Sequence, residues 1–448
     1  MKIILTLLFI VILIPGMSCA AGTVRFTSIN DLAVVPSNWR HPIIKWEDES
    51  GSNSVYNLTV RAGRLKLSLS IAGKSYVFRD GSFDPFLKYK SVSFEVAGCK
   101  DRIIIDHGYG PLNDTIIYRL VEGLFNPGQK AIIKSMTLDE GMPESLAEVE
   151  GTCIGCHSYS RNTGLLNLKR GSDRRFISET SSAYGDVFQQ YSFGEFSFLS
   201  ISPDGSKAAI VRNSRSMIDV RSNFIEPFDM TYSAGDIEIL DLSQGSVTSL
   251  PGASDSNFVN DMPSWSPDGK FIVFCRYEPD PGTNLLNPVK LYLVPYNNGR
   301  GGEAVPLMKT PPSDYCYFPR FSPDGLFISF VTGDASRGYF ARSSSIIRLY
   351  SVRRKKLLPA PALNMPLTMN SWHAWSSDSR WIVFSTKRDK NGLTALFIGK
   401  IDADGKGHPP VEIAFDSDYK VNLPILVRTA KGLDFGRNLP GFIRSIMR

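Results

Sequence analysis

Histidine and cysteine are scarce in this chain, five and six among 448 residues, so any place where they gather stands out. Charge imbalance is also weak. The 50 Lys and Arg against 44 Asp and Glu leave a net charge of +6, spread along the chain, and no basic block marks a nucleic-acid footprint. After the first 14 residues no apolar run is long enough to cross a bilayer. No Gly-x-Ser-x-Gly elbow occurs, and too little chain follows the last strand-like repeat for a hydrolase domain. Hydrolysis is therefore not expected, and a redox carrier or binding protein is the better expectation than an enzyme.

What is present begins with an export signal. Lys2 precedes an apolar run from Ile3 to Ile14, then Pro15-Gly16 and small residues through Ala21, the pattern of a signal peptide over residues 1–20. Two processing routes compete: cleavage after Ala20, or lipidation of Cys19, which would tie the protein to a membrane. Either predicts a folded protein in the periplasm or at the outer membrane. Hydrophobic content of 42% with 21% charge suits a globular chain whose length calls for two or three domains.

An internal repeat organises the C-terminal part. Ser202-Pro203-Asp204-Gly205, Ser266-Pro267-Asp268-Gly269, Ser322-Pro323-Asp324-Gly325 and Ser376-Ser377-Asp378-Ser379 recur about every 55 to 65 residues. Each is followed by an apolar run such as Phe271-Ile272-Val273-Phe274. Pro pre-sets one turn angle, Asp bonds back to local groups and Gly takes positive φ, so each unit opens with a β-hairpin. The four aspartates read as turn formers rather than a catalytic carboxylate set. Repeats of this length bury themselves best as four-stranded blades in a radial array.

Trp265-Ser266-Pro267-Asp268-Gly269-Lys270 with its following apolar strand resembles the repeat of TolB-type propellers. That resemblance covers roughly residues 150–430 and implies fold more than function. The expected architecture is mainly β. A β-sandwich of fibronectin or immunoglobulin type spans 40–122, a linker with a short helix 123–152, a propeller of five to six blades 153–430, and a tail 431–448. The sixth blade is left to the tail near Leu423 to Thr429 or to upstream strands.

Cys153-Ile154-Gly155-Cys156-His157 is a C-x-x-C-H motif, the attachment signature of haem c. Two thiols can form thioethers to the porphyrin vinyl groups, and the adjoining imidazole can bind the iron as proximal ligand. A redox dithiol would want a βαβ context, and a zinc site two further ligands; neither pattern accompanies the pair. With Tyr118 to Glu122, Asn162 and Arg170-Gly171, the segment resembles envelope TolB-like proteins carrying a cytochrome c motif, which implies haem but no defined substrate.

For the distal side of the iron, His373 is one candidate, because His373-Ala374-Trp375-Ser376 aligns with His157-Ser158-Tyr159-Ser160 and would be a neighbour if the last blade adjoins the first. Met136 and Met142 are others, and His107 a weaker one. The remaining cysteines are Cys99, Cys275 and Cys316, of which Cys275 and Cys316 could pair. The leading expectation is haem-linked electron transfer with an envelope redox partner; the alternative is a binding scaffold with structural haem or none.

Overall fold

The structure, a computed structural model, describes residues 24–428. Excepted are 51–54, 109, 122–129, 141–142, 150–152, 161–164, 173–174, 183–190, 193–195, 221–227, 278–288, 310–314, 334–341, 389–392 and 415–418. From Cys153 to Ser192 it describes the strand ladder and, of the side chains, only Ser158. The predicted signal segment and Cys19 lie outside the described residues, as do Met142 and the tail.

The described residues form a mainly β protein with six four-stranded sheets, one five-stranded sheet and one three-stranded sheet. Five of the four-stranded sheets are consecutive in sequence. Blade I comprises Cys153–Ser160, Leu165–Ser172, Arg175–Ser182 and Tyr191–Ser192; blade II comprises Leu199–Ile201, Lys207–Val220, Phe228–Asp241 and Val247–Ser249. Blades III, IV and V open with Val259–Trp265, Tyr315–Phe321 and Asn370–Trp375. In every case the first strand is the inner one.

The turns that open the blades follow the predicted chemistry. In blade IV, Ser322 Oγ donates to Asp324 Oδ1 at 2.6 Å and accepts the Phe327 N–H at 2.9 Å, while Gly325 sits at φ 72°. The same closure recurs at Ser202, Ser266 and Ser376, and Ser379 takes the glycine position of blade V at φ 61°. Neighbouring turns also touch: the Asp324 N–H donates to Ser379 Oγ at 2.9 Å.

Blade VI is built from both ends of the chain. Lys420–Arg428 is its inner strand, paired antiparallel with Asp114–Val121, which pairs in turn with Ala131–Met136 and Glu144–Val149. The stretch near Leu423 and the upstream strands thus complete one blade together. The Asp114–Val121 strand, expected in the upstream sandwich, is buried at every position rather than on alternate ones. That pattern suits a strand enclosed on both faces. The stretch expected as a linker with a short helix carries two strands, because β-branched Ile132 and Ile133 pair with Leu120 and Arg119. Tertiary pairing overrides the helical preference of Glu144 to Val149.

Inner strands close the ring. That of blade I lies against those of blades VI and II, blade II against III, and III against IV; blade V touches blade VI through inner strands and blade IV through Ile346–Ser351.

The N-terminal part is a pair of packed sheets. Val24–Phe26, Ile43–Asp48 and Ser75–Val77 form one; Ala33–Pro36, Cys99–Asp106, Ser91–Val96, Val55–Ala62 and Leu65–Ala72 form the other. Ile44 and Trp46 of the first share a core with Leu58, Val60 and Phe94 of the second, and that core continues into Val383, Leu396 and Leu426 of blades V and VI. Lys45 bonds Glu412 at 2.5 Å and Lys400 bonds Asp106 at 2.7 Å across the same seam.

Closure is reinforced where Arg119 Nε donates to Asn422 Oδ1 at 3.0 Å, a buried contact between residues 303 apart in sequence. Removing a buried hydrogen bond to a charged group costs about 2 kcal/mol. Asn422→Ala is expected to lower stability by about that amount, read as a fall in the urea midpoint at unchanged slope.

Candidate functional site

Each inner strand of blades III to VI carries a one-residue bulge at the same place. The ladder shifts between Asp261 and Ser264, Tyr317 and Arg320, Ser371 and His373, and Asn422 and Ile425. Inside these bulges Met262, Phe318, Trp372 and Leu423 adopt φ of 53°, 51°, 42° and 51°. Such left-handed backbone costs a non-glycine residue about 1–2 kcal/mol, so its repetition shows that the ring imposes it. In blade II Phe198 holds the corresponding place: the amide of Ser197 and the carbonyl of Phe198 both bond Val211.

Three of these residues, Phe198, Met262 and Phe318, meet within the ring. The rings of Phe198 and Phe318, from blades two apart, have centroids 6.1 Å from each other, and the Phe318 N–H approaches Met262 Sδ at 3.5 Å. Met262 is buried, and Phe198 and Phe318 pack against its cluster. These three bulge positions thus place an apolar patch in the channel among the described residues.

Blade I has the same bulge, and there the C-x-x-C-H motif lies. Cys153 pairs with Gly171, Ile154 with Arg170 and Gly155 with Lys169; the ladder then slips and resumes with Ser158 opposite Asn167. Cys156 and His157 occupy the slip. Cys156 stands four residues before Ser160, as Met262 stands before Ser266 and Phe318 before Ser322. It holds the sixth place of the ring of Phe198, Met262, Phe318, Trp372 and Leu423. The neighbouring Ser158 is buried, its Oγ accepting the Ile201 N–H of blade II at 3.4 Å.

The other candidate ligands are not brought to this place. His373 is 1% exposed and points toward blade IV, where its Nε2 lies 2.8 Å from Ser329 Oγ; the Trp375 indole N–H donates to the same oxygen at 2.8 Å. Blade VI also stands between blades V and I, so His373 and His157 are not on adjoining strands as the alignment led us to expect. Met136 is buried in the third strand of blade VI, two strands out from the channel. His107 is exposed in the N-terminal unit, its Nε2 3.3 Å from the Tyr89 carbonyl. Met142 falls outside the described residues. Among the described residues no group of His, Cys, Asp and Glu could hold a metal ion, and no helix is long and apolar enough to cross a membrane.

Cys275 and Cys316 are both buried free thiols rather than a bridge; Cys275 Sγ donates to the Cys316 carbonyl at 3.3 Å, and burial pushes its thiol well up. Cys99, in contrast, is disulfide-bonded.

No known family profile matches the chain, and no curated protein matches it. Among solved structures it is similar to TolB from Acinetobacter baumannii, at 13% identity and a TM-score of 0.48, covering 75% of this chain and 79% of that one. It is also similar to an oligogalacturonate lyase in complex with manganese, at 12% identity and a TM-score of 0.39 over 67% and 74%. A third is an oligogalacturonate lyase from Vibrio parahaemolyticus, at 12% and 0.38 over 66% and 93%. TolB-like propellers are thus among its structural neighbours, and the propeller reading rests on this chain's own strand pairing.

Burial, and next the charge of Arg320, push the His373 imidazole down to about 3, against a smaller upward effect of its bond at Ser329. Its folded value lies below the unfolded one near 6.5, so the unfolded state takes up the extra proton. The stability this neutral histidine confers is complete above about pH 6.5 and declines as pH falls toward 3. His373→Gln should flatten that decline, measured by urea unfolding at intervals between pH 4 and 7.

Proposed function

We propose that this is an exported envelope propeller protein carrying one covalent haem c, with Cys153 and Cys156 forming the thioethers and His157 binding the iron. The observation that carries the reading is the position of the motif: its second cysteine falls at the inner-strand bulge of blade I, where the other blades carry Phe198, Met262, Phe318, Trp372 and Leu423. When bound, such a group supplies a one-electron couple, whose potential depends on axial ligands and burial. The protein's own part would be to bring two cysteines and a histidine within five residues of one inner strand.

The donor set fits the group in kind, and the strand sets one condition. At a rise of about 3.3 Å per residue, Cys153 and Cys156 stand about 10 Å apart along a regular strand. Both vinyl groups lie on one porphyrin edge, so double attachment calls for this segment to tighten. The bulge, where Cys156 and His157 have no partner in the ladder, is the natural point for it. We read the N-terminal sheet pair as a sandwich of fibronectin or immunoglobulin type that serves with the propeller as a platform, and electron exchange with an envelope partner as the role. Lipidation of Cys19 would add membrane attachment.

A second reading, a binding scaffold without haem, draws support from the ring itself, since Phe198, Met262 and Phe318 already pack on one another. The two readings part in one experiment. Full-length chain is expressed with its own leader in a periplasm supplied with c-type maturation factors, then examined by haem-stained denaturing gel and pyridine haemochrome spectrum. One covalent haem per chain, absent from Cys153→Ala/Cys156→Ala, is the expected result. Mapping the Cys99 disulfide in the same sample supplies the opposing arm: a Cys99 bridge to Cys153 or Cys156, with no haem, establishes the scaffold.

A further inference from the structure

We infer that the outer turn of blade IV is a docking surface for an anionic lipid bilayer; this goes beyond the haem reading and does not depend on it. The run Arg353-Arg354-Lys355-Lys356 leads from Ile346–Ser351 into the outermost strand, Lys356–Leu357. All four residues are exposed, and among the described residues none of the four forms an ion pair. The run is shorter than the charge blocks that mark nucleic-acid arms. Folding extends it, because Arg354 Nη1 lies 3.5 Å from the Asp404 carbonyl oxygen in the outer turn of blade V, beside the exposed Lys406. Against these five cations stand Asp324 and Asp404, each bonded within its own turn, so the patch keeps an excess of positive charge.

The same turn in the other blades shows that the fold does not ask for these charges. One bond identifies it: the amides of Leu242, Tyr296, Val352 and Ile401 donate to the carbonyls of Ser206, Lys270, Leu326 and Arg380 in blades II, III, IV and V. Each turn then needs left-handed backbone, for which blades II, III and V supply Gly245, Gly299 and Gly405, at φ 70°, 83° and 89°. In blade IV the residue is Lys355, at φ 49°. A side chain there works against the turn, so turn formation does not account for it. Blade II closes the turn on Ser243-Gln244-Gly245-Ser246, with no charge at all.

Apolar side chains stand beside the cations. Leu326, whose carbonyl accepts the Val352 N–H at 3.0 Å, is 40% exposed. The first turns of blades III and IV adjoin, with Gly325 against Pro267, and blade III exposes Phe271 there. Four successive exposed residues on a hairpin make a convex tip rather than a groove for a peptide. Cations and exposed apolar groups side by side match the headgroups and acyl boundary of an anionic bilayer, where each Lys or Arg strengthens partition about fivefold.

The test gives blade IV the turn of blade II, as Arg353→Ser/Arg354→Gln/Lys355→Gly/Lys356→Ser in the full chain. The glycine relieves the left-handed backbone, so the variant should fold with a urea midpoint no lower than that of wild type. Sedimentation with vesicles compares phosphatidylcholine alone with equal parts phosphatidylcholine and phosphatidylglycerol. Wild type is expected to bind the anionic vesicles about tenfold or more the tighter, with binding falling as salt rises, and the variant to lose that preference. A lipid on Cys19 would strengthen binding to both vesicles alike and leave the ratio between them unchanged. Equal binding of wild type to both, or a variant that keeps the preference, overturns the proposal. Binding to polyglutamate but to neither vesicle also overturns it, in favour of an acidic protein partner.

Discussion

The pairing of Lys420–Arg428 with Asp114–Val121 is the contact on which the rest of the molecule depends. It ties the last strand of the array to a strand that precedes the first blade, and without it the Asp114–Val121 edge of blade VI would stand unpaired. The bond between Arg119 and Asn422 shows how the closure is fixed in register: a buried guanidinium requires a partner, and a one-residue slip would deprive it of one. Related pairs hold other blades, with Arg276 Nε on Asn260 Oδ1 at 2.8 Å and Arg388 on Asn370 Oδ1 at 3.3 Å. These arginines also lie over aromatic rings, Arg276 over Phe258 and Tyr292, and Arg388 over Phe397. Burial holds the Arg388 guanidinium down at about 9, so it stays charged at neutral pH and anchors its blade through hydrogen bonds and ring faces.

Closure dictates the bulges. Six inner strands converging on one axis crowd their central residues, and an extra residue per strand bends it and increases its twist. The cost of left-handed backbone at Met262 and Phe318 is offset by the apolar contacts they make in the middle. The same geometry accounts for the apolar patch in the channel.

Much of this was legible in the sequence. The Ser-Pro-Asp-Gly turns carried their own mechanism, and each forms the bonds that its residue types require. The alignment of His157 with His373 also stands, three residues before Ser160 and Ser376. What could not be read was anything that depends on strands far apart in the chain. Ile116 to Leu120 looks like any apolar strand, and nothing local tells it to pair with residues 300 positions later. For the same reason the adjacency of blades V and I was misjudged: the intervening blade has no turn motif to announce it. The channel ring left one trace, an apolar residue four places before each turn serine, and Met262 and Cys156 fall at that place. Periodicity reasoning passes over it because a bulge breaks the alternation on which such reasoning rests.

The ring also bears on why attachment would be covalent. A haem held only by packing needs a preformed cavity, and the channel floor here is already filled by Phe198, Met262 and Phe318 in mutual contact. A ligand must then lie on that floor, with one face open, and gains only part of the burial that would hold it. Two thioethers remove the dissociation problem outright, so a shallow apolar bed is sufficient. On the haem reading, the strand-borne motif and the filled apolar contact of Phe198, Met262 and Phe318 are parts of one arrangement. A propeller that spends its channel on its own closure can still carry a cofactor, provided that the cofactor is bonded to the wall.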